Sequence, residues 1–515
     1  MVTPKSGQTN SGFESRRKLL QFGACGAMTS TSFLSTLLHL KLTNAVVNAA
    51  PAVSPTGGYK ALVCLFLDGG ADSFNFLTPF GTTQSDPYYA NYRATRGAGA
   101  MRRSAAWDGA WSDFDYGYLN PIVDSAAAGG TGRTFGLQPR FQYLKQMYDA
   151  GHATVIANAG ALVEPIASVS EFENASKIKP LGLYSHSDQQ LHWQTAVPNS
   201  REQLKGWAGR MADLLTDPSS AAATGNIYSA ISTNGQSLLL SGNRIQPYAI
   251  SPYGAVELYG IGNDSVIDRV YSDVHADLAN QTYSDLLEKS IRNSRVVARD
   301  AAAAFQQAFS TTTLPSTGVQ FPSSYFGMNL SAVAKAIKIA QSSSAPLHQK
   351  RQVFFVSSYG WDHHSNMLGA MHEGVEEVDV GLKAFYDFLI AENLLNQVTT
   401  FSISEFGRTW TINGDGTDHA WGGNPIVMGG AVNATPGNNR IWGSYPDIVS
   451  TNTGPTGLDL GRGSIIPQIS ADAYHAEICR WFGIGNDSNL EWVLPNIRNF
   501  YSQSQSGHPV GFLNY

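Results

Sequence analysis

Three short apolar runs in this 515-residue chain each end in side chains that can hold a cation. Lys60 to Leu67 (KALVCLFL) runs into Asp68. Arg351 to Tyr359 (RQVFFVSSY) runs into Gly360-Trp361-Asp362-His363-His364. Val398 to Ile403 runs into Glu405 and Arg408, then through a Gly/Asn/Asp-rich loop to Asp418 and His419. In open α/β sheets, sites lie beyond the carboxyl ends of the strands. Carboxylate oxygens and imidazole nitrogens are hard-to-borderline donors, suited to zinc, manganese or similar ions. Asp68, Asp362, His364, Glu405, Asp418 and His419 are therefore the candidate ligands of one or two divalent ions, zinc favoured and Mn, Ca or Mg possible.

Other residues could act beside such a centre. After Asp68 comes Gly69-Gly70-Ala71-Asp72-Ser73-Phe74-Asn75, where glycine lets backbone approach a ligand closely. Asp72 and Asn75 are candidate substrate contacts, against the plainer reading of a glycine turn. Further on, Tyr184-Ser185-His186-Ser187-Asp188-Gln189-Gln190 opens a helix. Ser185 reads equally as a nucleophile or as an ordinary N-cap. His186 has no capping role to explain it, and Gln190 is a further candidate substrate contact. Arg408 could clamp an anionic oxygen in a bidentate way, or it could pair with Glu405 or a neighbouring carboxylate.

The elements that must position these groups follow from apolar spacing. The run ending at Leu67 lacks alternation, as expected of a strand covered on both faces. Short helices are expected at Phe141 to Tyr148 and from Gly206 to Leu215, with a strand at Ala153 to Ala157. Pro79 to Gly132 has little periodicity and reads as loops. Residues 225–260 read as a small β insertion or sheet edge. Tyr271 to Phe309 and Leu330 to Gln341 read as helices. Leu368, Met371, Val375, Val378, Leu382, Phe385 and Leu389 repeat at three and four residues, one stripe of a long helix. Glu373, Glu376 and Glu377 fall off that stripe, and His372 is placed with them at the surface. Pro425 to Val432 is another apolar segment, and Ala471 to Phe482 is a helix capped by Gly483. Alternating helices and apolar strands make one α/β domain over residues 59–515, after a linker at 51–58.

The N-terminus reads as an address. Ser15-Arg16-Arg17-Lys18-Leu19-Leu20 is a twin-arginine pattern, followed by a mildly apolar run and by small residues at Ala45, Ala49 and Ala50. Residues 1–50 are expected to be a Tat export signal engaging the Tat translocon, and the mature chain to be periplasmic or secreted. The alternative is a membrane anchor. A span needs about 20 strongly apolar residues, and this run is diluted by Ser, Thr, Gly and His39, so no stable span is expected. Cys25 follows the arginines too closely for a lipoprotein signal. Beyond residue 50 the chain holds 29 basic and 39 acidic residues, a formal −10. Such a balance argues against nucleic acid as a partner. Cys64 and Cys479, the remaining thiols, sit in an apolar strand and a helix-like run and read as buried free cysteines.

Taken together, SRRKLL, DGGADSFN, YSHSDQQLHWQT, GWAGR, GWDHHSN, SEFGRTWTINGDGTDHAWGG, GRGSIIPQIS, RWFGI and LPNIRNF resemble, in order, the domain-of-unknown-function 1501 family. Those are Tat-exported bacterial proteins placed in the alkaline-phosphatase-like superfamily. The resemblance implies a three-layer sandwich, with a mainly parallel sheet between helices. It also implies a metal-dependent hydrolase of phosphate or sulfate esters, acting on an anionic small-molecule or polysaccharide ester. In that pattern Asp68 matches the first ligand, and Ser185 or His186 falls at the nucleophile. Asp362 and His364 look like the later Asp and His, and Glu405 stands for the Asp of an Asp-His pair. Phe406 replaces the His of that pair, and His419 looks like the last His. The departure at Phe406 leaves open a catalytically degenerate protein of the same fold, acting in binding or cell-surface assembly.

Overall fold

The computed structural model describes residues 57–111, 116–215, 227–256, 266–344, 347–449, 457–501 and 507–515. Residues 1–56, where the export signal is read, lie outside that description. The centre of the fold is a nine-stranded sheet in the order β13-β5-β12-β11-β1-β10-β7-β8-β9. Its middle strands are β1 (Lys60–Asp68), β10 (Arg351–Tyr359) and β11 (Val398–Ile403). β1 pairs parallel with both neighbours, Asp68 standing opposite Tyr359 and Phe66 opposite Ile403. β7 (Ala230–Ser232) and β8 (Tyr248–Ser251) continue in parallel beyond β10, and β9 (Gly254–Ala255) closes that edge in antiparallel. On the other side β12 (Ile426–Met428) lies antiparallel between β11 and β5 (Ala153–Ala157), which β13 (Trp442–Gly443) joins in parallel. The segment read as a possible β insertion is thus an edge of the main sheet.

The longer helices, in chain order, are α1 (Pro87–Arg96), α2 (Gln142–Asp149), α3 (His186–Thr195), α4 (Trp207–Leu214), α5 (Val266–Asn280), α6 (Leu286–Thr311), α7 (Tyr325–Ser342), α8 (Met367–Ala391) and α9 (Ala471–Phe482). Alternate residues of β1 enter different cores. Ala61, Val63, Leu65 and Leu67 pack with residues of α2, α6, α7 and α8. Leu62, Cys64 and Phe66 pack with residues of α3, α4 and α9. Helices on both faces explain why the strand is apolar without alternation. Cys64 and Cys479 are buried and unbridged.

Three expectations change. Pro79 to Gly132 is not all loop. It contains α1 and the strand β3 (Asn120–Val123), which pairs with β4 (Thr134–Leu137) beside β2 (Leu77–Pro79) in a small antiparallel sheet. Asp86 caps α1 with Pro87 at its first turn, a local start signal that periodicity does not register. The long helical region breaks into α5 and α6. His372 is buried, between Gln138 at 2.8 Å and Arg140 at 2.5 Å. Gln138, Arg140 and the Tyr116 ring cover it, so the surface assignment fails.

Candidate functional site

The strand ends meet because glycine permits close approach. Gly69, at φ +131°, passes so near the β10 loop that a Cβ would lie 2.4 Å from the Asp362 amide nitrogen. A Cβ on Gly70 would overlap the Phe406 ring. The stretch after β11 folds back as a hairpin: Arg408 bridges His419, and Gly407 exchanges backbone hydrogen bonds with Ala420 and Trp421. Thr417 N–H donates to the His363 carbonyl at 3.0 Å, lacing the hairpin to the β10 loop. Side chains from three distant segments are thereby delivered to one rim.

At that rim, ligand atoms of His186, Asp362 and His419 lie within 4.8 Å of one another. His186 Nε2 is 3.6 Å from Asp362 Oδ2, and His419 Nε2 is 3.4 Å from Asp362 Oδ1. Both imidazoles are anchored through the other nitrogen. His186 Nδ1 is 2.9 Å from Glu405 Oε1, and the Glu405 side chain is fully buried. His419 Nδ1 is 2.8 Å from the Tyr184 carbonyl. Carboxylate and carbonyl oxygens only accept, so each Nδ1 is the donor, and a neutral ring then turns its Nε2 lone pair to the shared point. An acceptor behind the ring is how metal-binding histidines are oriented. Phe406 forms an apolar wall, with its ring centroid 4.5 Å from His419 and 4.9 Å from His186.

A second tier holds the carboxylates. Arg408, with no exposed side-chain surface, donates from Nη1 to Asp362 Oδ1 at 2.8 Å and from Nε to Thr417 Oγ1 at 3.2 Å. Burial works to raise the Asp362 pKa, but the Arg408 charge and hydrogen bond, with His364 and His186, hold it below the usual carboxylate value. Burial lowers the His419 pKa, which favours the neutral form that a cation requires. His364 Nε2 sits 3.0 Å from both Asp362 Oδ1 and His419 Nε2, and its Nδ1 is 3.7 Å from Asp418 Oδ1. Gln190 Nε2 joins Asp68 Oδ1, at 2.9 Å, to Glu405 Oε1, at 3.2 Å. Burial and the nearby Glu405 raise the Asp68 pKa.

Several candidates take other roles. Glu405 stands behind His186 rather than at the shared point, and it also accepts from the Gly69 N–H at 3.0 Å. Arg408 has no exposed side-chain surface and holds Asp362 through Nη1, while its Nη2 has no hydrogen-bond partner among the described residues. Asp72 is spent in a fully buried bidentate pair with Arg96 (2.6 and 2.7 Å). Asn75, also fully buried, bonds Tyr92 and the Gly99 carbonyl. Both are turned toward α1 and the turn that follows it and cannot meet a substrate. Asp418 is drawn toward Arg462, whose hydrogen bond and charge outweigh burial and lower its pKa. Ser185 caps α3, its Oγ accepting from Asp188 N–H at 3.4 Å. The Tyr184 carbonyl was not read from sequence. Its backbone, at φ +72°, is left-handed in a non-glycine residue, and no side-chain pattern announces such a carbonyl.

This is a mixed α/β protein whose rim carries a His-Asp-His set at the carboxyl ends of its central strands. Residues 344–459 match the family model described as "Protein of unknown function (DUF1501)", as the motifs led us to expect. No curated protein matches the chain. The crystal structure of Ps i-CgsB in complex with k-i-k-neocarrahexaose is similar at 11% identity and a TM-score of 0.31, over 86% of this chain and 77% of that one. The crystal structure of Ps i-CgsB gives 10% identity and a TM-score of 0.30 over the same shares. Likeness at that level carries no argument about fold or ligand.

Proposed function

We propose that this chain is an exported, periplasmic or secreted, metal-dependent hydrolase of phosphate or sulfate esters, built on an alkaline-phosphatase-like fold. The observation that carries the reading is the convergence of His186 Nε2, Asp362 and His419 Nε2, each fixed from behind by Glu405, Arg408 or the Tyr184 carbonyl. Three protein donors with an open side match the donor set of a catalytic zinc ion. The twin-arginine stretch supports export, and the ordered motifs support the fold.

The residues divide the work. His186, Asp362 and His419 would hold one divalent ion, zinc favoured. A cation there would neutralise charge on the ester oxygens and lower the pKa of a nucleophile. Glu405 and the Tyr184 carbonyl keep both imidazoles in the binding tautomer. Ser185, one residue before His186, is the side-chain nucleophile of this reading; its Oγ accepts from Asp188 N–H at 3.4 Å and lies 3.2 Å from Ser187 Oγ. Gln190 steadies Asp68 beside Glu405. Asp68, His364 and Asp418 form an outer ring of charge.

The test is metal analysis of the purified protein, followed by assays with 4-nitrophenyl phosphate and 4-nitrophenyl sulfate. We expect about one divalent ion per chain. Asp362→Ala and His419→Ala should each weaken metal binding by more than ~100-fold, since even an outer orienting partner is worth 10–100-fold, and should abolish hydrolysis. Unchanged metal content in both variants would sink the reading. A degenerate binding protein of the same fold is the second reading, favoured by Phe406 filling a position where the superfamily pattern has a ligand. A protein that binds metal but hydrolyses neither ester class, with or without added Zn or Mn, would favour it.

A further inference from the structure

We infer that Arg462 anchors a second oxyanion subsite beside the cation site, so that the favoured substrate carries a further anionic group besides its ester; this rests on the site proposed above. The first sign is in the backbone. Gly461, Arg462 and Gly463 follow one another at φ +117°, +59° and +81°. Glycine enters that region freely, whereas an arginine does so only at a cost in strain. The turn is held there from several sides. Asp459 Oδ1 accepts from the Gly461 and Gly463 N–H groups, both at 2.8 Å. Gly463 lies against Trp410, where an added Cβ would come within 2.3 Å of the Trp410 Cβ. The Arg462 carbonyl accepts from the Thr411 N–H at 3.1 Å and from the Thr411 hydroxyl at 3.3 Å. A residue that its surroundings keep in strained backbone, with a long half-exposed side chain, points to a use for that side chain.

The side chain reaches the rim. Nε donates to Thr411 Oγ1 at 3.3 Å, and Nη1 donates to Asp418 Oδ2. Asp418 Oδ1 is 3.7 Å from His364 Nδ1, and His364 Nε2 is 3.0 Å from both Asp362 Oδ1 and His419 Nε2. One carboxylate and one imidazole therefore separate the guanidinium from the point shared by His186, Asp362 and His419. The Arg462 side chain is 50% exposed, and its Nη2 has no hydrogen-bond partner among the described residues. A guanidinium fixed through Nε and Nη1 offers its remaining N–H bonds in a set plane, a match for the oxygens of a carboxylate, sulfate or phosphate. Arg408, the other guanidinium at the rim, has no exposed side-chain surface. Asp418 neutralises part of the Arg462 charge, so a lone anion gains little there. An anion tethered to an ester already on the cation gains far more, because the second contact is then intramolecular.

The probes are the α,ω-bisphosphonates of propane, hexane and decane, whose C–P bonds resist hydrolysis, with hexylphosphonate for comparison. Each is titrated calorimetrically into the full chain loaded with Zn. At least one bisphosphonate should bind about tenfold more tightly than hexylphosphonate. Arg462→Gln and Arg462→Gly should both remove that preference and leave hexylphosphonate binding unchanged. Arg462→Gly relieves the strained turn, and an unchanged circular-dichroism spectrum separates loss of the subsite from loss of the fold. Arg462→Lys should restore the preference only in part, since an ammonium lacks the planar fork. No bisphosphonate preference in the wild type, or one that survives in both variants, would overturn the inference. If the preference follows this pattern while neither 4-nitrophenyl ester is cleaved, the second subsite stands and the hydrolase reading alone falls. If the esters are cleaved and no preference appears, the reverse holds.

Discussion

Two parts of this molecule are built from the same residue types and behave oppositely. At the rim, Asp362 is hydrogen-bonded by Arg408, and both His186 and His419 have Nδ1 anchored and Nε2 turned toward Asp362. Beneath the sheet, Asp472 and His475 of α9 lie near Arg210 of α4, all buried. There Arg210 spends its donors on the carbonyls of Lys205, Thr195 and Val493. Neither Asp472 oxygen and neither His475 nitrogen has a hydrogen-bond partner among the described residues. His475 instead stacks on Trp207 at 4.4 Å. Burial pushes Asp472 up to about 8 and His475 down to about 3, so both are uncharged at neutral pH. Asp, His and Arg therefore do not define a site by being near one another. What distinguishes the rim is that each group is held from behind and turned toward one shared point.

The largest effect that would break this contrast is Gly69→Ala. A positive φ and a Cβ driven against the β10 backbone should cost about 2–4 kcal/mol and misplace Asp362. Urea unfolding and zinc titration together check it. Normal metal affinity in that variant would show that the close approach of β1 and β10 does not build the rim. Next is Glu405→Gln, which keeps the shape and removes the charge behind His186. Metal affinity measured by chelator competition should drop about 10–100-fold, while Asp472→Asn should leave it within twofold. Equal effects from the two substitutions would erase the distinction between the regions.

The last concerns the buried region alone and is a pH slope. Asp472 has a folded pKa near 8 and an ordinary value of 3.8. Below about pH 4 both folded and unfolded chains hold the proton. Between these values only the folded chain holds it, so stability falls as pH rises and then levels above pH 8. The slope approaches about 1.4 kcal/mol per pH unit. Asp472→Asn should flatten it in urea midpoints taken from pH 5 to 8. An identical slope in both proteins would mean that Asp472 is ionised in the fold, and the two regions would then be alike.

Much of the fold was legible because it is written in local spacing. Strands β1, β10 and β11 are uninterrupted apolar runs, and the three-and-four stripe of α8 needs no partner to be recognised. The layer containing α1 and β3 was not legible, because short strands and a Pro-started helix carry little periodicity. For the candidate site, the donor types and their positions after strands were readable: Asp68, Asp362, His364 and His419. Their ranks were not. Glu405 and Arg408 sit in the same motif as His419, yet they support ligands from behind. Asp72 looks as eligible as Asp68 until Arg96, 24 residues later, is seen to hold it.

From the amino-acid sequence alone follow the central strands β1, β10 and β11, the stripe of α8, the acidic balance and the set of cation-binding side chains, since each depends on residues close in the chain or on composition. Which of those side chains face one another was decided only by tertiary structure. Orientation there depends on a glycine that lets two loops touch, a buried arginine and a backbone carbonyl at Tyr184. Those contacts join residues 46 to 293 positions apart, and no local pattern encodes them.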